Sequence, residues 1–248
     1  MKAMILAAGE DRKLHPLTLT CPKPMLPVGD RPLLERNILL LRAYGIREIA
    51  INLREFPEII MDYFGNGEKW GVSLHYSYEE MLLGSAGAVK KMEPFFDETF
   101  VVMYGDLFTF IDLQPMITYH QNLKAQVTIA IHEISNPCDK GIIQLNEQGW
   151  ITRFKEKPRP HQVFSTLGNT GLYLMEPEVL RWIPPQTVCD FGHHIFPWLI
   201  NNQKRLAGYP TNEFLIDIGT LSSYKQAQQW AISKYDNQLS SPSVAIET

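Results

Sequence analysis

The sequence predicts an α/β fold, a mixed and mainly parallel sheet with helices on both faces and an antiparallel part inserted in its second half. Three observations predict it. From Lys2 to Tyr104, short apolar segments and amphipathic segments alternate strictly; beyond Asp112, apolar segments succeed one another with only turns between them. The 248 residues, 45% hydrophobic and 20% charged, also suffice for a full core, which excludes a disordered chain.

Lys2-Ala-Met-Ile-Leu-Ala7 is continuously apolar after its lysine, as a central strand covered on both faces requires. It stops at Gly9. Between Gly9 and Arg31 stand Pro16, Pro22, Pro24, Pro27 and Gly29, a density that excludes a helix or a paired strand interior. The segment reads as a long shaped loop anchored by Leu14, Leu17, Met25 and Leu26. Asp30 as N-cap, Pro32 in the first turn, Leu34, Ile38 and Leu41 at helical spacing, and Gly45 at the end predict a helix over 32–44. Glu48–Asn52 then reads as strand, Pro57–Phe64 as helix, Val72–Tyr78 as strand, Ser85–Met92 as helix and Phe100–Tyr104 as strand. In such a sheet, ligands gather beyond the carboxyl ends of the strands.

A helix near 113–122 precedes four segments read as antiparallel strands: Val127–His132, Gly141–Leu145, Trp150–Phe154 and Gly168–Met175. Pro177–Ile183 and His193–Asn201 read as helical, Leu215–Asp217 as a short strand, and Leu221–Lys234 as a last helix with a frayed tail from Tyr235. With no internal repeat and no Gly- or Ser-rich linker, one domain is expected over 1–235, with halves near 1–112 and 113–235 and a tail at 236–248. The second half is expected to cover one flank of the first.

Lys and Arg number 23 against 27 Asp and Glu, a net charge of −4, so the chain has no general attraction for nucleic acid or an anionic membrane. No apolar run approaches the ~20 residues that span a bilayer, and Ala3–Ala8 is too short for a signal peptide. A cytoplasmic, reducing setting is expected. Cys21, Cys138 and Cys189 are odd in number and widely spaced, and read as buried reduced thiols. A homo-oligomer is left open.

Leu6-Ala-Ala-Gly9 ends the first strand in small residues, which lets a base or phosphate approach the backbone. It fits neither GxGxxG nor GxxxxGK[ST]. The following loop carries Arg12, Lys13 and Lys23, the last between Pro22 and Pro24, which restrict the backbone and aim the ammonium. Loop lysines are ordinarily solvated, and a phosphate clamp is the alternative. Asp106 and Asp217 each follow a strand, where an aspartate ordinarily caps or turns; as a pair of carboxylates with few other ligands they also suit Mg²⁺. The histidines offer no HxxxH or HExxH spacing and read as surface or core residues, and no serine sits in GxSxG.

Leu6-Ala-Ala-Gly9, Leu14-x-Pro-Leu-Thr18, Pro22-Lys-Pro-Met-Leu-Pro27 and Arg31-Pro-Leu-Leu-Glu35 together resemble the opening of the sugar-1-phosphate nucleotidyltransferases. Glu79 ahead of Leu83-Gly-Ser-Ala-Gly-Ala88, Tyr104-Gly-Asp106, Phe154-Lys-Glu-Lys-Pro158, Asn169-Thr-Gly-Leu-Tyr173 and Asp217-Ile-Gly-Thr220 continue the resemblance in order. It implies a Rossmann-like fold with a nucleotide-binding first half and a sugar-binding second half. The implied reaction is attack of a sugar 1-phosphate on the α-phosphorus of a nucleoside triphosphate, giving a nucleotide sugar and pyrophosphate. Such a nucleophile is already ionised and needs no general base.

Carried over residue by residue, the resemblance implies catalytic roles for Lys23, Lys13, Arg12 and Asp106. Ala7, Ala8, Gly9, Glu79 and Gly84 would bind nucleotide; Gly141, Glu156, Lys157 and Asn169 the sugar phosphate; Asp106 and Asp217 the Mg²⁺. The chain departs from the family's Gly-x-Gly-Thr-Arg-Leu at Gly9-Glu-Asp-Arg-Lys-Leu14: Asp11 brings a negative charge toward the triphosphate, and Lys13 replaces an arginine able to hold two phosphate oxygens. Leu82 stands where a proline is common. An active transferase is favoured over a homologue that binds nucleotide sugar with impaired turnover. GTP with mannose 1-phosphate is the first expectation for substrates, and uridylyl or thymidylyl transfer to glucose 1-phosphate or a related sugar the second. About thirty residues follow Thr220, too few for an appended hexapeptide-repeat β-helix.

Overall fold

A computed structural model describes residues 1–9 and 12–239, with the side chains of Arg12 and of 234–239 outside that description. Four parallel strands, β1 (Lys2–Leu6), β4 (Glu48–Leu53), β5 (Ser73–Tyr78) and β6 (Phe100–Tyr104), lie in the order β5-β4-β1-β6. Their period-two alternation divides the core into two layers. Ala3, Ile5, Ile49, Ile51, Val101 and Met103 pack on one face with α1 (Leu33–Ala43), α2 (Pro57–Phe64) and α4 (Leu113–Leu123). Met4, Ala50, Phe100 and Val102 pack on the other with α3 (Gly84–Lys91) and α5 (Phe196–Asn201). Helices cover both faces, as expected.

The strands of the second half extend this sheet at its β6 edge. β11 (Leu167–Met175) pairs antiparallel with β6 and, on its other edge, with β8 (Val127–Glu133). Past the end of β6, β9 (Ile142–Leu145) takes over that edge at Gly168 and pairs with β10 (Ile151–Lys155). β12 (Leu206–Pro210), hidden in the sequence by two small residues and a proline, runs parallel to β8. A bridge from Trp150 to Ala207 brings β10 back toward β12, so this part curls on itself.

The proline-rich loop holds a short ladder, β2 (Pro27–Val28) against β3 (Arg31–Pro32), and 3-10 turns at Arg12–Leu14 and Lys23–Met25. The ladder corrects the expectation of no pairing there: two residues per strand need no uninterrupted run of N–H donors. Asp30 sits too early to cap α1, whose N-cap is Pro32; its carboxylate pairs with Arg36 at 2.6 Å and Arg31 at 2.9 Å. Leu14, Met25 and Leu26 are buried as expected, whereas Leu17 is exposed. Pro177–Trp182 is 3-10, and Phe191–Ile195 is a π-helical turn leading into α5, so both segments read as helical are helical. α6 (Leu221–Leu239) continues past the tail expected from Tyr235, and 240–248 lie outside the described residues. No helix among the described residues is long and apolar enough to cross a membrane.

Candidate active site

Because β1, β4, β5 and β6 are parallel, their carboxyl ends gather Ala7–Gly9, Asn52, Glu79 and Asp106 at one edge of the sheet. A cavity of about 420 Å³ opens there, lined by Ala7, Ala8, Gly9, Glu79, Leu82 and Gly84 among others. Its rim is held by a buried chain of hydrogen bonds. Ala7 N–H donates to Asn52 Oδ1 at 2.7 Å, Asn52 Nδ2 donates to Glu79 Oε1 at 2.8 Å, and Leu83 N–H donates to Glu79 Oε2 at 2.9 Å. Both Glu79 oxygens are therefore engaged within the protein, and the residue is 1% exposed. It orients the 79–84 loop. Gly84 is required by the backbone: its φ is +72°, and a Cβ would stand 2.6 Å from the Cys189 carbonyl oxygen.

A second, wider cavity of about 820 Å³ adjoins the first and holds Lys13, Gly141, Glu156, Lys157, Asn169 and Asp217. The two lobes share Lys23, Ser85, Tyr104, Asp106 and Asp190. At the junction, Lys23 Nζ lies 2.6 Å from Asp106 Oδ2, with both side chains mostly buried. Elsewhere in the second lobe, Lys140 Nζ lies 2.6 Å from Asp217 Oδ2.

A two-stranded ladder brings the aspartates together across more than a hundred positions. β13 (Leu215–Asp217) pairs with β7 (Leu107–Thr109), placing Asp217 opposite Leu107, and Ile218 N–H donates to the Asp106 carbonyl at 2.9 Å. Burial alone would raise the Asp217 carboxyl. The charge and hydrogen bond of Lys140, helped by the Gly219 amide and by Lys23, outweigh it and hold the group below the usual carboxylate range. Lys23 thus acts on both aspartates.

In the second lobe, Glu156 lies between two glycines. A Cβ on Gly141 would stand 2.6 Å from Glu156 Oε2, and one on Gly192 would also meet that oxygen. Burial pushes the Glu156 carboxyl up, against the opposing charges of Lys157 and His193 and with the help of Asp190. With its folded pKa above the unfolded value, the ionised group destabilises the protein at higher pH, and that penalty vanishes as pH falls and it protonates. Glu156→Gln is therefore expected to raise the melting temperature at about pH 8, with the gain shrinking toward about pH 4. Calorimetry across that range checks it; a constant difference would contradict it. Asn169 is turned inward, with Nδ2 donating to the Tyr173 hydroxyl at 2.9 Å and Oδ1 accepting from Gly171 N–H at 3.0 Å.

Residues 2–234 match the nucleotidyl transferase family model. The chain belongs to the nucleotidyl transferase family. Among curated relatives it is 35% identical over 260 residues to a UTP–glucose-1-phosphate uridylyltransferase of Synechocystis, covering 99% of this chain and 67% of that protein. It is 28% identical over 223 residues to a mannose-1-phosphate guanylyltransferase of Mycobacterium tuberculosis, covering 88% of this chain and 61% of that protein. The chain thus spans about two thirds and three fifths of their lengths. Among solved structures it resembles a putative glucose-1-phosphate thymidylyltransferase from Bacillus anthracis, in complex with sucrose, at a TM-score of 0.85 and 25% identity over 93% of this chain and 95% of that one. The resemblance read from the motifs and the Rossmann-like fold both stand.

This nucleotidyl transferase brings the residues singled out in its sequence into the two lobes, apart from Arg12, whose side chain, like Glu10 and Asp11, lies outside the described residues. Several lining residues escaped sequence reasoning. Lys140 and Asp190 carry no local signal, Ser85 lies inside the quoted Leu83–Ala88 motif without a role read for it, and His193, read as a surface or core residue, lines the second lobe because the π-helical turn presents it there. Among the described residues, no group of three or more His, Cys, Asp or Glu could hold a metal ion.

Proposed function

We propose that this chain transfers a nucleotidyl group from a nucleoside triphosphate to a sugar 1-phosphate in a Mg²⁺-dependent reaction, with UTP and glucose 1-phosphate as the preferred pair. The observation that carries the proposal is the junction itself, where the lobe at the strand ends and the wider lobe beside it meet at Lys23 and Asp106, with Asp217 on the neighbouring strand. The uridylyl preference rests on the greater identity and coverage of the Synechocystis relative; GTP with mannose 1-phosphate stands second.

The nucleoside would lie against Ala7–Gly9 and Gly84, with the sugar hydroxyls at Glu156 and the backbone of Gly141. A phosphate oxygen of the sugar phosphate attacks the α-phosphorus in line; the new O–P bond forms as the bond to the β-phosphate oxygen breaks, and pyrophosphate leaves. No proton has to move. The protein's task is alignment and neutralisation of charge, for which Lys23 stands at the junction and Lys13, Lys140 and Lys157 in the sugar-side lobe. The oxygen donors Asp106 and Asp217, with no histidine or thiol beside them in a set, suit Mg²⁺, which takes one or two carboxylates and completes its shell with water and phosphate. Asp106 and Asp217 would hold the ion, which would supply positive charge to offset that of the phosphates.

The test is pyrophosphate release from UTP, GTP, TTP and ATP, each paired with glucose 1-phosphate and mannose 1-phosphate. The highest kcat/KM is expected for UTP with glucose 1-phosphate, and chelation of Mg²⁺ should reduce it to background. A folded sample that binds nucleotide sugar yet turns over no pair would instead establish the impaired homologue, for which the Glu10-Asp11-Arg12-Lys13 loop is the motivating feature.

A further inference from the structure

The strap at Thr187–Asp190 belongs by sequence to the sugar-binding half but lies against the nucleotide-side helix α3. The first turn of α3 has N–H groups with no partner inside the helix. The strap supplies them. Ser85 N–H donates to Asp190 Oδ1 at 3.0 Å, while Ala86 and Gly87 N–H donate to the Cys189 carbonyl at 2.9 and 3.0 Å. The Ser85 hydroxyl donates to the same Asp190 oxygen at 3.1 Å and accepts from Phe191 N–H at 3.0 Å, and Cys189 N–H donates to the Leu83 carbonyl at 2.8 Å.

Asp190 is also fastened to the π-helical turn. Its N–H donates to His194 Nδ1 at 2.9 Å, and its carbonyl accepts from His194 and Ile195 N–H at 3.0 and 3.2 Å. Within that turn, Gly192 packs on the Glu156 carboxylate and His193 lines the sugar-side lobe. On the other side, Leu83 leads through Glu79 and Asn52 to Ala7. A series of hydrogen bonds and one close packing contact therefore joins the nucleotide rim to Glu156, and Asp190 and its partner Ser85 are the members that line both lobes.

We propose that Asp190 is a positioning residue that couples the two substrate lobes, so that ligand in either lobe orders the turn that shapes the other. The inference rests on the transfer reading above for the identity of the two ligands. A charged acceptor taking two Ser85 donors holds the turn more firmly than a neutral one, and because the strap is shared, the α3 turn and the Glu156 platform move together.

Amide hydrogen exchange on the full chain reads the coupling directly. The ligands are α,β-methylene-UTP, which cannot release pyrophosphate, and glucose 1-phosphate, each alone and with Mg²⁺. In the wild type, the nucleotide analogue is expected to slow exchange at 191–195 and the sugar phosphate to slow it at 83–87. Asp190→Ala should lose this cross-lobe protection and raise KM for both substrates about fivefold or more, the low end of ordinary site coupling. Asp190→Asn keeps an oxygen for both Ser85 donors and should recover most of the protection. Should the alanine variant not fold, Ser85→Ala, which removes only the hydroxyl between Asp190 and Phe191, is read in its place. Protection confined to the occupied lobe in the wild type, or retained in full by the alanine variant, overturns the proposal. Turnover with one-lobe protection defeats this inference and leaves the transfer reading intact; cross-lobe protection without turnover does the opposite.

Discussion

Asp106→Asn lowers turnover by about a hundredfold to a thousandfold, the loss that follows when one preorganised electrostatic contact is removed from a reacting centre. The asparagine still offers an oxygen to Lys23, 2.6 Å away in the wild type, so the junction keeps its shape while losing its charge. One of the two carboxylates suited to a divalent ion is then gone. The expected pattern is a fall in kcat with the far-ultraviolet circular dichroism unchanged, and Lys23→Met should fall comparably. Steady-state pyrophosphate release and a melting curve on the same samples check it. An Asp106→Asn enzyme within tenfold of the wild type would remove Asp106 from the reacting centre.

Gly84→Ala destabilises the fold by about 2–4 kcal/mol, the range in which backbone strain and a hard steric conflict act together. The residue has φ +72°, and the added methyl would stand 2.6 Å from the carbonyl oxygen of Cys189. That carbonyl cannot retreat freely, since it accepts from Ala86 and Gly87 N–H. Gly45→Ala is the control: φ there is +75°, yet a Cβ would find nothing within 4 Å, so only the conformational penalty of about 1 kcal/mol applies. Urea unfolding of both variants separates the two contributions. Equal losses would show that the strap yields to the methyl group.

The strands and helices legible in the sequence are those whose own residues carry the periodicity. Pro57–Phe64 and Phe100–Tyr104 come out with the bounds read for them, because a proline at the helix start and an unbroken apolar run are local signals. β7 and β12 were not legible. Leu107-Phe-Thr109 is strand only because Leu215–Asp217 lies beside it, and Leu206–Pro210 only because β8 offers it an edge. The same holds for side chains. Glu79 and Asn169 line the lobes, and only the tertiary structure shows which neighbours orient them: Asn52 and Leu83 N–H for the first, Tyr173 and Gly171 N–H for the second.

What the amino-acid order determined alone was the α/β class, the small-residue end of the first strand, the carboxylates that follow strands and the ordered motifs of the family, since each depends on residues near one another in the chain. The tertiary structure decided which charges share one space. Lys140 reaches Asp217 across 77 positions, Asp190 reaches Ser85 across 105, and Ile218 joins Asp106 through the β7–β13 ladder. Hydrogen bonds and ion pairs act over a few ångströms whatever the separation along the chain, so only the closed fold sets which of them exist.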